Sequence, residues 1–262
     1  MFTAVWANSL RPFVSFKVFY MDFIQKRFEE LALRAQNRYY TTFTDFLNME
    51  EQSELVSMRL GTPFKLFGGY DGAERCVAAF GADCENAEFP ISYIQIEPLA
   101  KKFADTLTHR DFLGSLMGLG IKRETLGDIL IKDNVGYLMC LDSVADFVAD
   151  NLGKVRHTSV KCTAISELPQ GMQSEPQEQQ KIVASLRLDV LAAAVYNLSR
   201  SAVKELFTQR KVFVNSRLCE NFSLVPKEGD IISVRGKGRF KLGETLGSTK
   251  KGRLIVQLFV YK

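Results

Sequence analysis

Cationic side chains concentrate towards the C-terminal end of the 262-residue sequence, at spacings that suit phosphate binding. Residues 186–262 contain 15 Lys and Arg against 6 Asp and Glu, a net charge of +9, whereas residues 1–185 have a net charge of −5. Arg200 and Lys204 lie four residues apart, so they share one face of a predicted helix. Ser199 is a favourable N-cap, and free N–H groups at a helix start attract anions. The pattern favours a nucleic-acid partner over a solvated cationic surface.

Further cations flank this helix. Arg187 opens the preceding helix, and Arg210 and Lys211 stand where the second helix meets a strand. In the segment 234–241 cations recur at every second residue, and an extended chain projects such residues to one side. Glycines between them would let the backbone approach a ligand closely. The alternating cations are Arg235, Lys237, Arg239 and Lys241.

Patterns typical of catalysis are incomplete. His109-Arg110-Asp111 is similar to a kinase catalytic loop, but Leu116 stands where that loop needs Asn. Gly118-x-Gly120-x-x-Arg123 lacks the third glycine of a dinucleotide fingerprint. The five cysteines are scattered without a CxxC pair, which gives no zinc spacing and indicates a reducing compartment. We expect a non-catalytic protein with no metal, cofactor or small-molecule substrate, in which His109 begins a helix or is a buried hydrogen-bonding residue.

The elements that would position these residues predict an α+β chain with three regions. Residues 21–90 form an N-terminal α/β region, helical over 22–59, with a second helix starting at Thr44 or Asp45 and a strand over 75–81. Residues 91–167 follow the order β-α-β-β-α-β of a ferredoxin-like, RNA-recognition-type plait. Residues 168–180, rich in Pro, Gly and Gln, are expected to be a linker. Residues 181–262 predict two short helices followed by a small sheet.

The first twenty residues differ from the rest. Residues 1–20 contain no acid and show no clear period, and Pro12, Ser15 and Lys17 interrupt the only candidate secretory core. We expect them to be a non-native or disordered leader, with Met21 as the natural start; a membrane-touching arm is the alternative. No stretch has the length of uncharged apolar sequence that a membrane span needs, so we expect no membrane partner and a cytoplasmic protein.

The predicted plait offers secondary contacts. RNA-recognition domains stack bases on aromatic residues of their central strands, and Tyr93 and Tyr137 lie on the first and third strands. Ordinary packing within the sheet is the default interpretation for both tyrosines, and base stacking is the alternative. The basic pair Lys122-Arg123, just after a glycine turn, is another candidate RNA contact.

The C-terminal region resembles the RNA-binding module named after small-subunit ribosomal protein S-four. The resemblance rests on Arg187-Leu188-Asp189, Ser199-Arg200-Ser201, Val212-Phe213-Val214-Asn215 and, from Gly229-Asp230 onwards, the strand that ends in Val234-Arg235. Two positions depart from the pattern, because Arg210 and Ser216 stand where this module usually has glycine. The resemblance implies a structural role for Asp189 and RNA contacts at Arg187, Arg200, Ser201, Lys204, Lys211 and Asn215.

Other motifs resemble the YlmH family of bacterial proteins from about Met21 to the end. They are Phe67-Gly68-Gly69-Tyr70-Asp71-Gly72-Ala73-Glu74-Arg75, His109-Arg110-Asp111-Phe112-Leu113-Gly114, Leu119-Gly120-Ile121-Lys122-Arg123-Glu124 and Gly127-Asp128-Ile129. The resemblance implies binding to rRNA of the large ribosomal subunit and to tRNA, near obstructed peptidyl-tRNA in quality control of stalled translation, with a link to cell division. An RNA-modifying enzyme of pseudouridine synthase or methyltransferase type, and a cell-division scaffold, are the alternatives.

Overall fold

Two compact units make up the protein, and the division falls between Met172 and Gln173, inside the predicted linker. The computed structural model describes residues 11–100, 102, 104–172 and 176–261. None of the helices in these residues is long and apolar enough to cross a membrane.

The N-terminal unit begins with a helical and a three-stranded part. Phe28, Ala32 and Ala35 form the buried stripe of the first helix, as their spacing predicts. The sheet is antiparallel in the order β1-β3-β2. The elements are α1 (Arg11–Arg38), β1 (Thr42–Phe43), α2 (Met49–Ser57), β2 (Phe64–Phe67) and β3 (Val77–Phe80).

Two helix starts differ from the predictions. Helix α1 begins at Arg11, inside the predicted leader; residues 1–10 lie outside the described residues. Pro12 lies in the first turn, where its missing N–H breaks no helical hydrogen bond. Helix α2 begins at Met49 rather than Thr44 or Asp45, because the Asn48 side chain accepts hydrogen bonds from the amides of Glu50 and Glu51.

The plait follows with the predicted order and topology. Its sheet has the order β5-β6-β4-β8-β7, with every neighbouring pair antiparallel. Alternate residues of β4 and β6 point to the two helices, and Phe112 and Leu116 of α3 are fully buried against them. Each such side chain contributes about 1.5–3 kcal/mol. The elements are β4 (Ile91–Pro98), α3 (His109–Gly118), β5 (Leu126–Lys132), β6 (Val135–Leu141), α4 (Asp142–Asn151), β7 (Lys154–Val155) and β8 (Thr158–Ile165).

The C-terminal unit packs two helices on a six-stranded antiparallel sheet of order β11-β10-β12-β13-β14-β9. Leu191 and Phe207 are buried from the helical side, and Phe240 and Leu258 from the sheet. The predicted linker, residues 168–180, differs from the structure because β9 begins within it. The elements are β9 (Gln177–Val183), α5 (Leu188–Tyr196), α6 (Arg200–Thr208), β10 (Val212–Val214), β11 (Arg217–Leu218), β12 (Ile231–Val234), β13 (Gly238–Ser248) and β14 (Leu254–Tyr261).

Candidate nucleic-acid interface

The start of α6 presents the first group of predicted ligands. Asn197 ends α5 in the left-handed conformation, and the Ser199 hydroxyl accepts a hydrogen bond from the Ala202 amide at 3.2 Å. This cap confirms the predicted helix start and places Arg200 and Ser201 in the first turn, both exposed. The Ser201 hydroxyl lies 2.9 Å from that of Ser199. The geometry suits a phosphate, because a helix start combines free N–H groups with a guanidinium.

Phe222, for which no role was predicted, lies beside two of the predicted cations. The Arg187 guanidinium carbon lies 5.6 Å from the centre of its ring, and Lys204 Nζ lies 5.7 Å from the same point. The ring is partly exposed and meets Phe207 edge-on. An aromatic face attracts cations over this range. Phe222 therefore brings together two cations that are 17 residues apart in the sequence.

Asp189 orients Arg187, which confirms the structural role that we expected of this acid. The Arg187 guanidinium donates two hydrogen bonds to the Asp189 carboxylate, at 2.8 and 3.1 Å. The same carboxylate accepts from the Val190 amide at the start of α5. Arg187 is therefore held at the helix start by an acid and an aromatic ring together.

The predicted alternation of cations in 234–241 is broken by a hairpin. Register pairs Val234 with Gly238, so Arg235 and Lys237 lie in the exposed turn between β12 and β13. Gly236 and Gly238 have φ of +77° and +98°, which a turn of this tightness requires. The prediction of a continuous extended segment was therefore wrong for Arg235 and Lys237.

The remaining two of the alternating cations, Arg239 and Lys241, lie on one face of the sheet. Arg239 and Lys241 point away from the buried face that Phe240 occupies. The Arg239 guanidinium carbon lies 4.2 Å from the centre of the Tyr261 ring on β14. The Arg235 amide donates to the Lys211 carbonyl at 2.9 Å, so the hairpin lies beside the end of α6.

Arg210 and Asn215 shape turns as well as carrying polar groups. Arg210 has φ of +55° and its guanidinium forms an exposed ion pair with Glu220 at 3.0 Å. The Asn215 side chain donates to Asp230 at 2.8 Å and accepts from the Ile231 amide at 2.9 Å. Ser216, with φ of +62°, follows Asn215 in the turn between β10 and β11. Both departures from the glycine pattern, Arg210 and Ser216, therefore occupy left-handed positions.

The tyrosine face of the plait is covered. The Tyr93 hydroxyl donates to the Gly69 carbonyl at 2.7 Å, and burial raises the pKa of Tyr93. A Cβ on Gly69 would lie 3.2 Å from the Tyr93 ring and 2.8 Å from Met139 Cγ. Phe46 packs on the same face. Packing, the default interpretation, therefore describes Tyr93, while Tyr137 is half-buried on the same strand as Met139.

Of the basic pair in the plait, only Lys122 faces solvent. Lys122 is exposed, but the Arg123 guanidinium donates to the carbonyls of Leu126 and Gly127 at 2.6 and 3.2 Å. Burial, with the charge of Arg75, lowers the pKa of Arg123 to about 10. Arg123 therefore stabilises its own loop.

Asp128 explains why two of the family-like motifs occur together. Its carboxylate accepts hydrogen bonds from the Tyr70 hydroxyl at 2.9 Å and from the amides of Glu74 and Arg75 at 2.6 and 3.2 Å. Burial raises the pKa of Asp128, and these hydrogen bonds oppose that effect. The Arg75 guanidinium then donates to carbonyls of Phe46 and Leu126. The network joins the glycine-rich segment to β5, which is a structural role.

The kinase-like tripeptide is also used in the fold. His109 begins α3, as predicted. The Asp111 carboxylate accepts hydrogen bonds from the amide and the hydroxyl of Thr108, and these bonds lower the pKa of Asp111. Asp111 also lies 3.5 Å from the Arg156 guanidinium.

Comparisons with known proteins agree with these motifs. A family model described as "Putative RNA-binding domain in YlmH" matches residues 84–168, which include the whole plait. A protein of Bacillus subtilis named "Ribosome-associated protein quality control protein P2" is 33% identical over 224 residues, covering 83% of this chain and 86% of the relative. A solved structure, cell division protein ylmH from Streptococcus pneumoniae, is 22% identical and covers 63% of this chain and 96% of its own, with a TM-score of 0.42.

Proposed function

This chain belongs to the YlmH family, and from that premise we propose that it is a non-catalytic RNA-binding protein that acts on ribosomes. Its partners are rRNA of the large subunit and tRNA, and its role is to bind the large subunit with peptidyl-tRNA when translation has stalled, in the cytoplasm. The name of the Bacillus subtilis relative supports the ribosomal setting. The matched RNA-binding domain supports the class of ligand.

The C-terminal unit supplies the affinity in this proposal and acts as the S-four-type module. The observation that carries it is the group of cations held around Phe222 and the start of α6. Arg187 and Lys204 flank the ring, and Arg200 lies exposed in the first turn. Cations beside a partly exposed aromatic ring suit a sugar-phosphate backbone with an unstacked base. Structured RNA is read mainly through its backbone and shape, so few base-specific contacts are expected.

The plait positions the protein, and the C-terminal unit holds the RNA. Tyr93 is covered by the segment around Gly69, so an RNA-recognition platform on that strand is closed. Lys122 is exposed in the loop between α3 and β5, and in this proposal it is the residue through which the plait contacts RNA. The charge distribution supports this division of roles, because residues 186–262 have a net charge of +9 and residues 1–185 a net charge of −5.

Sedimentation of lysates through sucrose gradients tests the proposal. Wild type should travel with large subunits, whereas Arg200→Ala/Lys204→Ala should remain near the top. These two side chains are exposed, so the variant should fold normally. The control, Lys26→Ala/Lys154→Ala, removes the same charge from exposed positions of the N-terminal unit and should sediment as wild type.

Two results would contradict the proposal. Wild type at the top of the gradient would remove the ribosome as partner. Equal co-sedimentation of Arg200→Ala/Lys204→Ala and its control would place the contact outside the start of α6. For purified components, the loss of two phosphate contacts should reduce the slope of log affinity against log salt by about 1.4–1.8.

A further inference from the structure

The loop that joins β13 to β14 carries three cations on a well-defined turn. This tip loop (residues 249–253) contains Lys250, Lys251 and Arg253. The Thr249 amide donates to the Arg253 carbonyl at 2.7 Å, and the Thr249 hydroxyl accepts from the Arg253 amide at 3.1 Å. Gly252 has φ of +73° and donates to the Thr249 carbonyl at 2.9 Å. These hydrogen bonds define the backbone of the turn that carries the three exposed cations.

The tip loop lies beyond the end of β12. Strand β12 pairs with β13 only from Gly238 to Lys241. Beyond that point, residues 244–248 of β13 are all exposed and pair only with β14. The ribbon of β13 and β14 therefore extends past β12, with β9 paired to β14 on the other side, and the cations lie at its end.

No carboxylate neutralises these cations within the part of the chain that the structure describes. Lys250, Lys251 and Arg253 are exposed and form no ion pair there. Arg187 and Arg210, in contrast, are paired with Asp189 and Glu220. Three unpaired cations in a five-residue turn create a strong local positive potential.

The position of the tip loop separates it from the cations already described. Tyr261, beside Arg239, and Leu254, beside the tip loop, are the two ends of β14. Seven residue steps at the rise of an antiparallel strand correspond to about 24 Å. The hairpin with Arg235 and the tip loop therefore lie at opposite ends of one ribbon.

We propose that the tip loop is a second phosphate-binding contact of the C-terminal unit, engaging RNA backbone about 24 Å from the hairpin of Arg235 and Lys237. This inference rests on the proposed function, because it assumes that RNA is the ligand. A protein partner fits less well, since stable protein interfaces need a buried apolar centre and residues 249–253 contain no apolar side chain. Binding at two separated points makes the second contact intramolecular and raises the overall affinity.

Fluorescence anisotropy with two RNA hairpins tests the tip loop. The probes are labelled RNA stems of roughly 20 and roughly 5 base pairs, of which only the longer can reach both ends. For the longer stem, Lys250→Ala/Lys251→Ala/Arg253→Ala should weaken binding by about ten-fold or more and reduce the salt slope by about 2–3. The control Lys26→Ala/Arg59→Ala/Lys154→Ala removes three exposed charges from the N-terminal unit and should bind as wild type. For the shorter stem, the tip variant should lose much less.

The outcomes separate the two proposals. If wild type binds neither stem, the proposed RNA-binding function is overturned. If wild type binds and the tip variant matches the control on the longer stem, the tip loop is not a contact, and the proposed function is unaffected. If the tip variant loses equal affinity for both stems, the two-point geometry is wrong. Circular dichroism melting of all variants confirms that each one folds.

Discussion

Arg210 provides the sharpest test of the backbone reasoning, because its conformation and its charge can be changed separately. It adopts the left-handed conformation with φ of +55°. That conformation costs a residue with a Cβ roughly 1–2 kcal/mol, while glycine loses about 0.4–1 kcal/mol through its freedom in the unfolded chain. Arg210→Gly and Arg210→Ala both remove the ion pair with Glu220. The glycine variant should therefore be more stable than the alanine variant by about 0.5–1 kcal/mol.

Hydrogen exchange measures this difference within the C-terminal unit. Amides of β10 should exchange about two- to five-fold more slowly in Arg210→Gly than in Arg210→Ala, because exchange from core strands follows the free energy of opening. Arg217 provides a control with the opposite expected result, because its φ is not positive. Amides of β10 should therefore exchange faster in Arg217→Gly than in Arg217→Ala. Equal or faster exchange in Arg210→Gly would refute the strain argument. Both Arg210 variants should bind RNA equally, since both lack the charge.

Three further substitutions test the contacts in each unit. Tyr93→Phe should lower the stability of the N-terminal unit by about 1 kcal/mol, through the lost hydroxyl hydrogen bond, and leave RNA affinity unchanged in anisotropy titrations; a loss of affinity would restore Tyr93 as a ligand. Asp128→Ala should lower the free energy of unfolding in urea by about 1–3 kcal/mol, because it removes three hydrogen bonds that join two segments, and a loss below about 0.5 kcal/mol would show that the network is not needed. Phe222→Leu should weaken RNA binding by up to about five-fold, because two exposed cation–ring contacts are worth roughly 0.5 kcal/mol each; unchanged affinity would show that the ring does not organise the cations.

Local sequence pattern predicted those elements in which the buried residues recur with the period of a strand or a helix. In the plait, β4 and β8 alternate cleanly and α4 has one apolar face, so order and topology followed from the sequence. The Ser199 cap was visible for the same reason, since a capping hydroxyl acts within its own helix turn.

Strands β9 and β13 escaped prediction because their signals are weak. Strand β9 lies at the sheet edge, and most of its residues are polar and exposed, with only Val183 buried. Strand β13 contains Gly243 and Gly247, and its register with β14 shifts twice, so no single period describes it. Edge position and bulges thus removed the alternation on which strand prediction depends.

The candidate site was predictable in its charges and not in its contacts. Arg200 and Lys204 are neighbours on one helix, so spacing sufficed to group them. Phe222 lies in a loop with no local charge pattern, and only the packing of that loop against α5 brings its ring to Arg187. The cover over Tyr93 likewise comes from Gly69, 24 residues earlier in the sequence. Contacts between distant segments depend on the whole fold.

The proposal that the RNA contacts lie mainly on the C-terminal unit draws on the faces of the two sheets. In the plait, α3 and α4 cover one face of the central strands, and Phe46 and its neighbours cover the other. In the C-terminal unit, α5 and α6 cover one face, and the opposite face carries Arg239 beside Tyr261 together with Lys241. A sheet can bind RNA only on a face that packing leaves open. The partly exposed Arg239 and Lys241 give this face its positive charge, and we expect substitutions in the C-terminal unit to change RNA affinity more than equal changes in the plait.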